Sequence, residues 1–462
     1  MLKRRQLVIM TGVCLMMVIP LFLLSIYLQL SLEIDNPDNI DIPDNIDIPD
    51  NILTLEDDIY NSEHIQKHTY VNMQEHYTHR TKLSGLHMAN MKKIQSQIST
   101  GFLHTFSTEL GSIVKRSDPE DAVRSYFMSP AILENDDGTH ILVSRSRNVP
   151  QDGIQNKAPT NVLVTRLYSS GFKPLNMGSI LGLITSESER NGPRDSRMFR
   201  IREHPYIVFD MQNWRDESFH MYMLSYTTGE LIKFRMYSEN KTMIPMKKTE
   251  KNWCPLVSND TLYFVYDFDP LIILECSPDL GRCLIAQKGN ETLNTQTAPS
   301  SLRGGTPFEL YKWPYYVSLA HSTTYCYKKR LYGIHIVIIS VHPQFRIVYV
   351  STNIQFHPHI NRKRPVFPTT ISSFIFPTTL LLRQEDIADM GGHLNDIDAM
   401  LFRIRGFKSL LEQVIEIDKS VTTKKQPKEG IIQEFIQLVQ RKECNNALLN
   451  LDKRNICKGC YF

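Results

Sequence analysis

Asp195 and Asp396 are carboxyls that could move a proton, and Arg197, Lys251, Arg303 and His321 are cations or hydrogen-bond donors that could meet an anion. Asn252 stands beside Lys251 with an amide suited to hydroxyl groups. Such a set fits proton transfer next to a departing or attacking phosphate, which needs a carboxyl group and positive charge together. Arginine suits the phosphate because its planar fork donates two parallel hydrogen bonds. Each residue also has a plainer reading. Asp195-Ser196-Arg197 has the composition of a surface turn with a local ion pair, and His321 ends an apolar run where a core histidine fits equally well. Gly304-Gly305 reads as a turn, since a glycine-rich phosphate loop needs a following helix that this sequence lacks.

Other chemistry is signalled less fully. Trp253 and Trp313 could stack on sugar rings or fill a core. Asp267-Phe-Asp269 compares with the paired carboxylates that hold a divalent ion on a diphosphate, although Asp269-Pro270 also has the look of a turn. No resident metal or other cofactor is expected, with a divalent ion left open at that motif. Cys457-Lys-Gly-Cys460 is half of a zinc pattern whose second half is missing. The sequence has no Gly-x-Ser-x-Gly elbow, no His-Glu-x-x-His and no phosphate-loop signature.

The elements that must position these groups are strands. Runs such as His140–Ser144, Asn161–Thr165, Tyr206–Phe209, Thr261–Tyr266, Ile334–Ile339 and Arg346–Val350 are rich in Val, Ile, Tyr and Phe and are separated by turn residues. Long amphipathic helices are not expected between residues 101 and 418, so this body reads as an all-β sandwich, barrel or propeller. Beyond it, 419–462 reads as a polar linker followed by a short helix carrying Ile431, Ile432, Phe435, Ile436, Leu438 and Val439. With 52 Lys and Arg against 49 Asp and Glu in 462 residues, the charge is too balanced for a nucleic-acid surface.

The N-terminal part sets the expected compartment. After the tail 1–6, with Lys3, Arg4 and Arg5, residues 7–30 are uncharged and long enough to span a lipid bilayer as a signal-anchor helix. The basic end should stay cytosolic and the bulk of the chain become lumenal, a type II arrangement in the Golgi or endoplasmic reticulum membrane. Residues 31–100 form a stem, opening with the hexads Ile34–Asn39, Ile40–Asn45 and Ile46–Asn51, acidic and proline-bearing and therefore extended. Asn240-Lys-Thr, Asn259-Asp-Thr and Asn290-Glu-Thr are glycosylation sequons meaningful in that compartment. So are the cysteines beyond the membrane, among which Cys276 and Cys283 bracket a turn-rich loop and should pair.

Four segments in order carry a resemblance. Gly192-Pro-Arg-Asp-Ser-Arg-Met-Phe199 with His204–Phe209, then Glu250-Lys-Asn-Trp-Cys-Pro255 with Leu262–Tyr266 and Asp269-Pro270, are the first two. Leu302-Arg-Gly-Gly-Thr-Pro307 with Tyr316–Ser322, then Phe376-Pro-Thr-Thr379 with Gly391-Gly-His-Leu-Asn-Asp396 and Met400–Ile404, follow. Over about residues 135 to 415 this resembles the five-bladed β-propeller enzymes that include mannoside phosphorylases and fungal β-mannosyltransferases. The resemblance implies a five-bladed propeller whose central funnel binds a sugar, with Asp195 as proton donor or base. Arg197, Lys251, Asn252, Arg303, His321 and Asp396 fall where such enzymes place phosphate- or sugar-contacting groups. The sequence departs from the pattern at Arg194, where an acid is frequent, and at Ser196, which replaces a proline. The activity the resemblance implies is transfer of a hexose, mannose in that family, from a sugar phosphate or nucleotide sugar to a glycan acceptor. The alternatives are a catalytically inactive propeller binding glycans or proteins, and a glycoside phosphorylase or hydrolase.

Overall fold

The computed structural model describes residues 85–87, 104–109, 123–150, 160–176, 178–181, 192–212, 217–288, 302–326, 329–354, 373–396, 398–421 and 429–457. Within them the chain winds mostly antiparallel strands into five blades around a central axis. The first blade comprises β3 (Val123–Glu134), β4 (His140–Pro150), β5 (Thr160–Tyr168) and β6 (Ser179–Leu181). The second is β7 (Arg194–Ile201), β8 (His204–Gln212), β9 (Phe219–Ser225) and β10 (Leu231–Lys233). In the third, β12 (Cys254–Ser258), β13 (Thr261–Phe268), β14 (Leu271–Cys276) and β15 (Arg282–Gln287) are edged by β11 (Arg235–Tyr237), which pairs parallel with β15.

The fourth blade has β16 (Leu302–Arg303) and β17 (Glu309–Lys312) on β18 (Tyr315–Cys326), then β19 (Lys329–Ser340) and β20 (Arg346–Ser351). The fifth is β21 (Ile375–Leu382), β22 (Ile387–Leu394) and β23 (Asp398–Arg405), the last of which pairs parallel with β3. Two early strands finish these last blades. β2 (His104–Glu109) lies antiparallel on β23, from His104 opposite Arg405 to Glu109 opposite Met400. β1 (Gly85–His87) pairs with β20 in the same sense. Chain that precedes the first blade thus supplies outer strands to the last two, which covers their edges and closes the ring.

The side-chain pattern explains why so many strands read as unbroken apolar runs. Five apolar clusters fill the five clefts between neighbouring blades. Successive side chains of one strand point to opposite faces, so they enter different clefts. On β8, Ile207 and Phe209 pack toward the first blade while Val208 packs toward the third. On β19, Ile338 faces the fifth blade and Val337 and Ile339 face the third. Both faces of a middle strand are buried, and alternation of apolar with polar residues disappears.

Three features differ from the expectations. The body contains a helix, α1 (Phe407–Ser420), burying Phe407, Leu410, Leu411, Val414 and Ile415 in the cleft between the last two blades. Its apolar residues recur at helical spacing but directly follow a strand, so the reading of 101–418 as free of long helices ran over them. The C-terminal helix α2 (Ile431–Cys457) is 27 residues long rather than short. The stem assignment 31–100 includes β1, which belongs to the fourth blade. The apolar run 7–30, the acidic hexads, Asn290 and Cys460 lie outside the described residues, and no described helix is long and apolar enough to cross a membrane.

Among the described residues two disulfides are present. Cys276 and Cys283 join across the β14–β15 hairpin with Cα atoms 4.0 Å apart, as the spacing around Ser277–Arg282 leads one to expect. Cys326 and Cys444, separated by 118 residues, tie the end of β18 to α2. Cys254 is free and buried.

Candidate active site in the propeller funnel

Asp195 is aimed by a bulge. Arg194 pairs with Asp210 and Arg197 with Val208, so the β7 side of the pair carries an extra residue, and Asp195 takes a left-handed φ of 50°. Ser129 of β3 (φ 52°) occupies a similar irregularity, where the register slips between Met128 and Ala131. Asn252 (φ 62°), Asn395 (φ 54°) and Asp396 (φ 53°) are also left-handed. Such backbone is uncommon outside glycine and persists where surrounding structure enforces it. Here one such residue comes from each of the first three blades and two from the fifth.

These residues are joined in a chain of contacts that passes through every blade. Ser129 Oγ donates to Asp195 Oδ1 at 3.4 Å and lies 3.2 Å from His393 Nδ1. His393 stacks on Phe376, with centroids 5.1 Å apart, and Phe376 meets His321 on its other side at 4.5 Å. His321 Nδ1 lies 2.8 Å from the Gly304 carbonyl. A carbonyl only accepts, so Nδ1 carries the proton and Nε2 is left as an acceptor. Arg197 closes the chain: its guanidinium donates to the carbonyls of Gly305 and Asp195, and reaches Asn252 Oδ1 at 3.5 Å. The Gly304-Gly305 pair is obligatory at this crossing. A side-chain carbon at Gly304 would strike the Asn252 carbonyl and Cys254 Sγ, and one at Gly305 would strike the Leu319 carbonyl.

The loop bearing Lys251 and Asn252 is held from beneath. Buried Glu250 accepts from the Lys247 amide at 2.7 Å, from Trp253 Nε1 at 3.1 Å and from Tyr266 Oη at 3.3 Å. Trp253 is core, packed among Phe234, Phe264 and Tyr266, whereas Trp313 is 53% exposed on the β17–β18 turn.

The charges are arranged unevenly. Asp195 keeps 23% of its side-chain surface, with Arg145 at 4.0 Å. Burial raises its carboxyl, but His393, Arg145, Arg197 and Arg194 together outweigh that and hold it below the usual carboxylate range. Asp210 is the opposite case. It is buried and ion-paired with Arg194, which also covers the Phe219 ring at 3.9 Å, and its Oδ1 has no partner. Burial pushes the Asp210 carboxyl up to about 6, against the pull of Arg194. Burial, then Arg303 and Arg197, push His321 down to about 3, so it is a neutral imidazole rather than a cation. Desolvation and then Arg303 lower the Lys251 ammonium, although Lys251 as a residue is exposed. Neither the Lys251 nor the Arg303 side chain has a hydrogen bond or ion pair among the described residues, and Arg303 Nε is buried without a partner. Lys251 thus lies within electrostatic reach of Arg303 on one hand and of the Asp195 and Asp210 carboxyls on the other, with no ion pair closing it off among the described residues.

The expected residues are therefore distributed in two layers. Asp195 and Asp396 keep 23% and 53% of their side-chain surface, Asp396 Oδ1 lying 2.7 Å from His393 Nε2, and Lys251 is exposed. Arg197 is wholly buried and spends its fork on protein oxygens, so it holds the site together from behind. Sequence reasoning passed over Ser129, Arg145, His393 and Asp210. Only His393 lay inside a recognised motif, and nothing local to the other three marks them. Asp267 and Asp269 are not part of the site: Asp267 Oδ1 accepts from the next two amides, and Asp269 caps α2.

The Arg194–Asp210 pair makes the site's charge depend on pH. Between pH 7 and 5 Asp210 should protonate through about 6, leaving Arg194 uncompensated, while His321 stays neutral. Sulfate, whose own charge is constant in this range, should therefore bind more tightly as pH falls. Titration calorimetry of the Asp210→Asn variant should show that part of the dependence removed; an unchanged dependence would assign it elsewhere. The stability sign follows from the same shift. The carboxyl ionises more readily in the unfolded chain, so what protonated Asp210 contributes is lost as pH rises through about 6.

No family model matches the chain. Among curated proteins, β-mannosyltransferase 3 of Komagataella phaffii is 26% identical over 209 residues, which is 39% of this chain and 34% of that protein. The chain is similar to fungal β-mannosyltransferases. β-Mannosyltransferase 3 of Candida albicans is 27% identical over 239 residues, 47% of this chain and 42% of that protein. The similarity thus spans about a third to two fifths of the length of these relatives. Among solved structures, the β-1,2-mannobiose phosphorylase of Listeria innocua is similar with a TM-score of 0.45 and 11% identity, over 68% of this chain and 99% of that one.

Proposed function

We propose that this protein is a membrane-anchored glycosyltransferase of the secretory pathway whose propeller transfers a hexose, mannose by its likeness to the curated relatives, from a phosphate-bearing donor to a glycan acceptor. The observation that carries the reading is the ionised Asp195 carboxylate within electrostatic reach of Lys251, with Arg303 beside Lys251 and neither cation closed off by an ion pair among the described residues. Asp195 takes the proton of the attacking acceptor hydroxyl. As that oxygen bonds to the anomeric carbon, the bond to the donor phosphate breaks and its electron pair leaves with the phosphate. Lys251 and Arg303 stabilise the charge that collects there. His321, through an unprotonated Nε2, and Asn252 and Asp396 serve sugar hydroxyls, and Arg197 keeps Asp195, Asn252 and Gly305 in register.

The test is a donor-consumption assay with mannose 1-phosphate and with a mannose nucleotide in parallel, on the purified protein with mannan acceptors. Release of phosphate or nucleotide dependent on Asp195 supports transfer, and release that requires inorganic phosphate and a preformed mannoside supports a phosphorylase instead. One observation favours a second reading, a glycan-binding propeller without catalysis: Arg194, where relatives of this kind often carry an acid, is locked onto Asp210 beside Asp195. Glycan binding without turnover of any donor would select that reading.

The proposed topology has its own check. Asn240 and Asn259 are exposed on turns of the propeller. In cells both should carry N-glycans, so enzymatic deglycosylation should increase gel mobility, and Asn240→Gln with Asn259→Gln should reduce that shift. An N-terminal tag should be reachable from the cytosol and a C-terminal tag protected. Finding the C-terminal tag in the cytosol would end the lumenal account.

A further inference from the structure

The C-terminal helix α2 is preceded by Gly430, which has no side chain to cap the helix with and takes a φ of 85°. The first amides of a helix have no partner within it and need one from elsewhere. Asp269, on the β13–β14 turn of the third blade, supplies both: Oδ1 accepts from the Gly430 amide at 2.8 Å and Oδ2 from the Gln433 amide at 2.8 Å. One turn on, Ile432 and Ile436 are buried against Leu302 of β16 and Ala320 of β18, together with Phe268 and Leu271 of the third blade. Farther along, Cys444 is bonded to Cys326 at the end of β18. The helix is therefore fastened on either side, along its length, of the residues that pack with Leu302, which pairs with Ser322, and in the next rung Arg303 stands opposite His321. β16 is only two residues long, and Leu302, its sole residue besides Arg303, is held by Ile432 and Ile436. So short a strand has few ladder bonds of its own to fix the direction in which Arg303 points.

We infer that α2 is a positioning element of the anion site, and that Asp269 and the Cys326–Cys444 bond set the affinity for phosphate by clamping the helix beside the rung that carries Arg303 and His321. The inference rests on the reading of Lys251 and Arg303 as the anion-binding pair. It gives Asp269 a role in place of the metal ligation that Asp267-Phe-Asp269 suggests in the sequence. At a catalytic site a misplacement of about 1 Å can cost on the order of 10²-fold in rate, so release of the helix should be felt at Arg303 without any contact between Asp269 and ligand.

The experiment is calorimetric titration of the purified full chain with inorganic phosphate, at a temperature where melting curves show every variant to be folded. Under that condition a loss of stability alone leaves the dissociation constant unchanged. Arg303→Ala serves as the reference and should abolish binding. Asp269→Ala should weaken binding by about 10-fold or more, toward that limit. Asp269→Asn keeps one of the two acceptor oxygens and turns an NH2 group toward the other amide, so it should fall between the parent and Asp269→Ala, whereas Asp269→Glu, which keeps both oxygens, should stay closer to the parent. Cys326→Ser with Cys444→Ser should weaken binding as Asp269→Ala does; if that pair fails to fold, the Asp269 variants decide. Unaltered phosphate binding by Arg303→Ala would overturn the anion site itself. Loss of binding in Arg303→Ala, with parent affinity in folded Asp269→Ala, would leave the anion site standing and overturn the role of the helix.

Discussion

Replacing Asp195 with Asn should lower the rate of glycosyl transfer by roughly 10²- to 10⁴-fold while the protein remains folded. The substitution keeps the size of the side chain and an acceptor for the Ser129 hydroxyl, which approaches Oδ1 at 3.4 Å. It removes the charge that His393, Arg145, Arg197 and Arg194 stabilise and the group that can take a proton. Because 23% of the side chain is exposed, no tightly packed core is disturbed. The loss should appear in kcat more than in donor KM, since the proton moves only on the way to the transition state. A variant retaining parental kcat would sink the role of Asp195 and leave the propeller untouched. Equal loss of binding and turnover would point to an electrostatic role in holding the cations rather than to proton transfer.

The largest effect on stability is expected at Asp418, far from these groups in sequence and in chemistry. Asp418 closes α1 and is fully buried, as is Arg346 of β20. Arg346 donates Nη1 to Oδ1 at 2.8 Å and Nη2 to Oδ2, and Tyr315 Oη donates to Oδ2 at 2.9 Å. Arg346 Nε has no partner, so the guanidinium depends on this one carboxylate for its charge. Asp418→Ala leaves a buried cation uncompensated, which costs about 3–5 kcal/mol. Replacing both partners by apolar residues, Asp418→Leu with Arg346→Met, should recover most of that loss, because desolvating the pair offsets much of its attraction. Unfolding midpoints in denaturant for the three proteins provide the measurement. A single variant within about 1 kcal/mol of the parent would mean that water reaches Arg346 and that the pair contributes little.

How much of this was legible in the sequence can be followed residue by residue. The strand runs were readable because β-branched and aromatic residues between turn residues report local conformation. Their lack of alternation, ambiguous by itself, is explained by clefts on both sides: Ile207 and Val208 serve different neighbours. The Cys276–Cys283 bond was readable since a hairpin brings residues seven apart together whatever the rest of the chain does. Helix α1 was missed because its apolar residues follow a strand without a capping side chain, Gly406 occupying the position where Ser or Asp would mark a start. Asp267-Phe-Asp269 was legible as a pair of acids, but the destination of the second, an amide pair more than 160 residues away, was not.

The sequence by itself determined what is encoded within a few residues: an all-β body, its turns, the uncharged run at 7–30 and acidic spacer, one disulfide, and the positions of Asp195, Lys251, Asn252, Arg303, His321 and Asp396 in four ordered segments. The tertiary structure decided which groups face one another. The packing of the first blade against its two neighbours brings Ser129 to both Asp195 and His393, and that of the fourth against the fifth sets Phe376 against two imidazoles. The tertiary structure also put Arg197 behind the site with its fork occupied, and made Asp210 a buried partner of Arg194. Those relations join residues tens to hundreds of positions apart. They depend on the number of blades and the register of their inner strands, and no pattern of period two along a single strand carries that information.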